Sequence, residues 1–207
     1  MGVAPFADLD KDSPACILHT PFAIIVSRDG RTRAIGAAWG RRAAEGSNTM
    51  GCRDRLEDYL RENGVPFEVQ HHPLAITAQE VAASEHVPGK MLAKVVMVSA
   101  DGEMAMLSLP APYQVDLEKA GKMLGAEEAR LAQEEEFEGS FPDCEVGAMP
   151  PFGNLYDLPV YVEETLAEDE TIVFRAGTHT DTMSVTYADF ERLVEPTVAE
   201  FARRELE

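Results

Sequence analysis

The sequence predicts an α/β fold in which a curled, barrel-like mixed β-sheet carries flanking helices. Three observations lead there. Short β-prone runs mingle with amphipathic stretches, without the regular βαβ rhythm of a doubly wound parallel sheet. Two apolar runs at 93–99 and 104–109 are split by Asp101-Gly102, which is the signature of an antiparallel hairpin. The first of these runs is apolar on both alternating faces, as a central strand covered on each side should be.

The elements follow in order. Residues 1–49 hold six basic against five acidic residues, net +1, whereas the remainder holds 12 against 32, net −20. The first segment shows no sustained helical or strand period, and it is read as a poorly ordered N-terminal extension, with Met50 as an alternative start; residues 50–207 form the domain. Residues 53–63 place Leu56, Tyr59 and Leu60 on one helical face, closed by Gly64 and Pro66. A strand is expected over 67–71, and Thr77-Ala78-Gln79-Glu80 has the form of a capping box that opens a helix to about residue 86. Beyond the hairpin, Asp116 caps a helix that Gly125 stops after Leu124, and 126–133 predicts another. The run Glu134-Glu135-Glu136 faces solvent. Strands are expected at 160–162, 171–175 and 183–186, and a helix over 187–194 with Asp189 in its first turn. Pro196 ends that helix, and Thr197 is expected to cap a last one holding Val198, Phe201 and Leu206.

Composition excludes several functions. A formal charge of −19 argues against a protein that coats DNA or RNA, because affinity for phosphate backbones comes mainly from Lys and Arg. No apolar run is long enough to span a bilayer and no signal-peptide pattern opens the chain, so a cytoplasmic protein without a membrane partner is expected. The cysteines Cys16, Cys52 and Cys144 are odd in number and widely spaced, and neither a disulfide nor a structural zinc is expected from them.

The chain has no GxxxxGK[ST], GxGxxG or GxSxG motif. Cys144 is a poor nucleophile, since Asp143 and Glu145 oppose a thiolate, and His71 and His72 would point to opposite faces of a strand. Three features remain. Lys94 heads an apolar strand on the face of Val96 and Val98, where a cation is costly without water or a partner. Gly147-Ala148-Met149-Pro150-Pro151-Phe152-Gly153 must be a shaped loop, because adjacent prolines remove two backbone donors. Ala176-Gly177-Thr178-His179-Thr180 is a second glycine turn. A lysine, glycine-turn amides and a histidine can hold an ester and stabilise an oxyanion while water attacks; the same set can bind an anionic ligand without turnover.

In their order and spacing, His72-Pro73, the helix from Thr77, Lys94 at the strand head, the loop at Gly147 and Ala176-Gly177-Thr178-His179 followed by Tyr187-Ala188-Asp189-Phe190 resemble the YbaK domain family. This is the prolyl-tRNA-synthetase-associated, or editing, domain of aminoacyl-tRNA deacylases. The resemblance covers roughly residues 66–196. It implies a YbaK-like sheet, hydrolysis of a mischarged amino acid from tRNA, and neither metal nor organic cofactor. It makes Lys94 the catalytic candidate, thought to hold the tRNA 3′ end while water attacks with help from the terminal ribose hydroxyl. Gly147, Met149, Pro151, Phe152, Gly153, Gly177, Thr178 and His179 are the implied substrate-binding residues, with Met149 and Phe152 making the pocket partly apolar. Because the chain is so acidic, contact with aminoacyl-tRNA should concentrate on the acceptor end through Lys90, Lys94 and Arg175, or be shared with a partner synthetase. A non-catalytic module that binds an aminoacyl or nucleotide-like ligand, or a synthetase, is the alternative.

Overall fold

The computed structural model describes residues 50–72 and 90–204, all within the unit Asn48–Glu207. The expected N-terminal extension, the helix from Thr77, Cys16 and Leu206 lie outside the described residues. Among the described residues ten strands run in chain order as β1 (Glu68–His71), β2 (Leu92–Ala100), β3 (Glu103–Pro110), β4 (Tyr113–Val115), β5 (Ala129–Leu131), β6 (Val160–Glu163), β7 (Thr171–Arg175), β8 (Asp181–Thr186), β9 (Thr197–Ala199) and β10 (Ala202–Arg204). The α-helices among the described residues are α1 (Cys52–Glu62), α2 (Leu117–Leu124), α3 (Glu134–Phe137) and α4 (Tyr187–Val194).

Eight strands form one mixed sheet in the order β1-β8-β7-β2-β3-β6-β9, with β5 added along β2; β4 and β10 make a separate ribbon. The β2–β7, β3–β6 and β6–β9 pairs are parallel, and the rest are antiparallel. Among the described residues β1 and β9 are two unjoined edges, so the sheet is open and the expected barrel-like closure is not made. The hairpin forms where Asp101-Gly102 stands, both residues having the positive φ (51° and 89°) that a tight two-residue turn requires. As expected of a central strand, β2 has apolar residues packed on both sides: Met97 joins a cluster with Leu56, Leu60, Phe152, Phe174 and Phe190, while Val98 joins Leu107, Leu109 and Phe201.

Two predicted helices are not formed. Residues 126–133 contain β5, because the Asp101 carboxylate accepts the N–H groups of Glu127 and Glu128 (3.0 and 2.8 Å) and leads the chain onto Val98–Ala100. The last predicted helix is replaced by β9 against β6 and β10 against β4; the N–H groups of Phe201 and Ala202, which a helix would use internally, donate instead to the buried Glu163 carboxylate (both 2.8 Å). The other predicted elements that fall within the described residues stand where expected, with the Asp116 side chain accepting from Glu118 and Lys119 and Gly125 in the left-handed conformation beyond Leu124.

Candidate functional site

Lys94 is the third residue of β2. It lies one step beyond the last pair of the parallel β2–β7 ladder, which is registered at Leu92–Val173 and Ala93–Phe174. Arg175, at the end of β7, is one step beyond the same register and so lies on the same face as Lys94. Between them and the glycine loop is a cleft of about 40 Å³, lined by Leu92, Ala93, Lys94, Val95, Gly147, Met149 and Arg175. The Lys94 ammonium donates to the Ala111 carbonyl (2.9 Å), and Arg175 Nη1 donates to the Gly147 carbonyl (3.0 Å). Lys90 is engaged elsewhere: its Nζ bonds the Asp169 carboxylate at 2.7 Å, a contact that raises the lysine above its usual range.

The two glycine turns are joined through their backbones. Gly177 N–H donates to the Ala148 carbonyl (2.9 Å), and the Gly177 carbonyl accepts from Glu145 N–H (2.9 Å). Gly147 takes φ +81°, and among the described residues its N–H meets a thioether, Met149 Sδ at 3.2 Å. The Gly177 amide is therefore already spent on the loop, so the turn cannot offer it to an oxyanion as the sequence suggested. His179 braces the loop from below: its backbone N–H donates to Glu145 Oε2 (2.7 Å) and its Nε2 contacts the Val146 carbonyl (3.0 Å), which fixes Nε2 as the donor nitrogen. Nδ1 is buried and, among the described residues, has no hydrogen-bond partner.

The remaining sequence-nominated residues stand behind this cleft. Phe152 is fully buried and packs with Phe174, Phe190 and Tyr59, so it belongs to the core and not to the cleft lining. Pro151 is buried as well, and Gly153 has no space for a side chain, since a Cβ there would sit 2.7 Å from Val160 Cγ2 and 2.8 Å from the Leu158 carbonyl. The Thr178 hydroxyl donates to Asp181 Oδ2 (2.6 Å), in a group where Asp181 Oδ1 also meets His71 Nδ1 (3.0 Å) and Arg53 Nη1 (3.3 Å). Burial pushes the Asp181 carboxyl up, but the hydrogen bonds from Thr178 and His71 and the charge of Arg53 outweigh it and hold the group below its ordinary value.

One support could not be read from spacing. Cys52, at the start of α1, forms a disulfide with Cys144, 92 residues on, which overturns the expectation of no disulfide. Helix packing creates the pair: Cys52 N–H donates to the Asp143 carbonyl (3.0 Å), and the Tyr156 hydroxyl lies 3.3 and 3.1 Å from the two sulfurs. The Tyr156 phenol is pushed well up by burial and by the neighbouring Asp143 charge. The disulfide fastens α1 to the chain three residues ahead of Gly147. Among the described residues no three His, Cys, Asp or Glu side chains converge as a metal site, and no helix is long and apolar enough to cross a membrane.

Comparison with known proteins bears on what this cleft is for. Residues 72–193, which contain Lys94, both glycine turns and Arg175, match the aminoacyl-tRNA editing domain. The chain belongs to this family. With that membership the chain is an enzyme, an aminoacyl-tRNA deacylase. A curated relative, the multifunctional Ser/Thr-tRNA deacylase ProXp-y of Escherichia coli, is 27% identical over 165 residues, covering 77% of this chain and 96% of the relative. Among solved structures, a candidate trans-editing enzyme for prolyl tRNA synthetase superposes with a TM-score of 0.65 at 22% identity, covering 78% of this chain and all of the other. The hypothetical protein APE2540 does so with a TM-score of 0.66 at 16% identity, covering 72% and 99%. These two likenesses bear on the fold alone.

Proposed function

We propose that this editing domain acts in trans on mischarged tRNA, and that the cleft beside Lys94 receives the 3′ acceptor end. The observation that carries the reading is the shared lining of Lys94 and Gly147 within a segment that matches the editing domain. In the proposed reaction water adds to the ester carbonyl, the carbonyl oxygen takes negative charge, and collapse expels the ribose oxygen, which takes a proton; the products are the free amino acid and uncharged tRNA. Lys94 supplies a fixed positive charge at the acceptor end, and a terminal ribose hydroxyl positions the water. With the Gly177 N–H committed to Ala148, charge stabilisation falls to the lysine and the substrate itself. Met149, nearly buried yet lining the cleft, gives the aminoacyl group an apolar wall.

A panel of tRNAs charged with serine, threonine, alanine or cysteine tests the reading, with wild type beside Lys94→Ala. Hydrolysis of at least one of them, reduced about 10²- to 10³-fold by the substitution, is the expected result. Failure of the wild type to hydrolyse any charged tRNA, together with retained binding, would make the domain a binding module.

A further inference from the structure

The Cys52–Cys144 disulfide reaches both turns of the candidate site. Cys144 stands three residues ahead of Gly147, and its neighbour Glu145 holds the second turn twice, through its N–H on the Gly177 carbonyl (2.9 Å) and its carboxylate on the His179 N–H (2.7 Å). Cys52 lies against Gly177, so closely that a Cβ on that glycine would meet its Sγ at 2.5 Å. The two cysteines differ in freedom. Cys52 is buried at the start of α1, and α1 is docked on the same stretch by an Arg55–Asp143 ion pair (2.8 Å) and by the bond from Cys52 N–H to the Asp143 carbonyl. Cys144 is half-buried and lies in a loop.

We infer that Cys52 and Cys144 form a reversible redox-modification site, whose disulfide holds the two turns in their working arrangement and whose dithiol form releases the Gly147 loop. The inference rests on the deacylase reading for its effect on activity, while the coupling of the sulfurs to the turns is a separate statement. Where aminoacyl-tRNA is used, thiol reductants are abundant, and disulfides that form there are usually catalytic or redox-sensing. The step is exchange with a dithiol reductant. One reductant thiolate attacks Cys144 Sγ, the more accessible sulfur; the S–S bond breaks, and Cys52 leaves as a thiolate, which the positive end of α1 favours. The Tyr156 hydroxyl, 3.3 Å from Cys52 Sγ, is placed to donate a hydrogen bond to it. The second reductant thiolate closes the reductant's own disulfide and frees Cys144, so two electrons and two protons pass from the dithiol to the protein. Two free thiols stand at van der Waals distance and cannot keep the separation of a bond. Cys52 has no room towards Gly177, so Cys144 moves and carries Glu145 and the head of the Gly147 loop with it.

The test records deacylation of a charged tRNA and the backbone amide NMR spectrum of the full chain, held in reduced or in oxidised dithiothreitol. The chain carries Cys16→Ser, so that Cys52 and Cys144 are its remaining cysteines. Reduction is expected to lower kcat/KM about 10- to 10²-fold, as a displacement on the order of 1 Å in a site can do, and reoxidation to restore it. The amide resonances of Glu145, Gly147 and Gly177 should shift with the redox state, while those of Val98 and Leu107 in the sheet stay in place. Cys144→Ser should show the rate of the reduced form and no response to dithiothreitol. Equal kcat/KM in the two forms of an active enzyme, or unmoved resonances at the turns, would overturn the switch. Collapse of the whole spectrum on reduction would overturn it too, leaving the disulfide a staple of the fold. If neither form hydrolyses any charged tRNA, the deacylase reading falls, while the shifts of the three turn amides still decide for or against the redox coupling.

Discussion

Gly177→Ala is the sharpest probe of how the two turns are held together. Gly177 has φ +92°, and an added Cβ would stand 2.5 Å from both Cβ and Sγ of Cys52 and 3.4 Å from the Arg53 nitrogen. Cys52 cannot swing aside, because it is 2% exposed, its N–H is bonded to Asp143, and its sulfur is joined to Cys144. A side chain in left-handed backbone costs about 1–2 kcal/mol, overpacking a fixed neighbour costs about 1–3 kcal/mol more, and the reduced freedom of the unfolded chain returns about 0.4–1 kcal/mol. The net expectation is a loss of roughly 2–4 kcal/mol, seen as a lower urea midpoint at unchanged slope. Gly64→Ala is the internal control: its φ is +68° and nothing stands within 4 Å of the new Cβ, so it should show the conformational cost alone. If Gly177→Ala proves no more destabilising than Gly64→Ala, the close approach of α1 to the Gly177 turn is refuted.

The same supports give further expectations. Cys144→Ser, or reduction by dithiothreitol, opens a 92-residue loop and should cost about 4.6 kcal/mol by chain entropy, with 2–5 kcal/mol usual in practice; a loss under 1 kcal/mol in urea melts would refute the link. Glu163 is pushed above its ordinary value of 4.5 by burial, against the lowering effect of the Phe201 and Ala202 N–H groups. The folded state therefore binds this proton more tightly than the unfolded one, and stability should fall as pH rises from about 4.5 through the folded value. Glu163→Gln keeps an acceptor for both N–H groups and should flatten that limb, whereas an unchanged profile would assign the slope to other carboxylates. Treatment with EDTA is expected to leave deacylation within twofold; strong inhibition reversed by zinc would give a metal ion a part in the reaction and refute the expectation.

What could be read from the sequence was what neighbouring residues decide. Asp101-Gly102 forces its turn by backbone preference alone, and Asp116 with Gly125 bounds a helix through contacts within a few residues. Expectation failed where a distant group took over the backbone. Val198 and Phe201 have helical spacing, yet Val198 is 41% exposed and Phe201 fully buried, because the chain between them leaves β6 and is caught by Glu163. Residues 126–133 yielded in the same way to Asp101, whose carboxylate is more than 20 residues away in sequence. The disulfide was illegible for a related reason: only the docking of α1 brings Cys52 to Cys144.

At the site the division is the same. The loop at Gly147 and the head of β2 were legible because proline, glycine and a lone lysine constrain their own surroundings. Phe152 is not the pocket wall that its place in the loop suggests, because its ring turns inward to Phe174 and Phe190, a choice set by the far side of the core. That inward turn has a mechanical consequence. With Phe152 in the core, Gly153 against Val160 and Gly177 against Cys52, the loop is fixed at both flanks, and the members it turns to the cleft are Gly147 and Met149. Gly177 N–H is used to hold that frame in place. That frame stands independently of the Lys94 side chain, which lines the cleft from β2, so removal of this cation should be felt in the handling of charged tRNA before it is felt in folding.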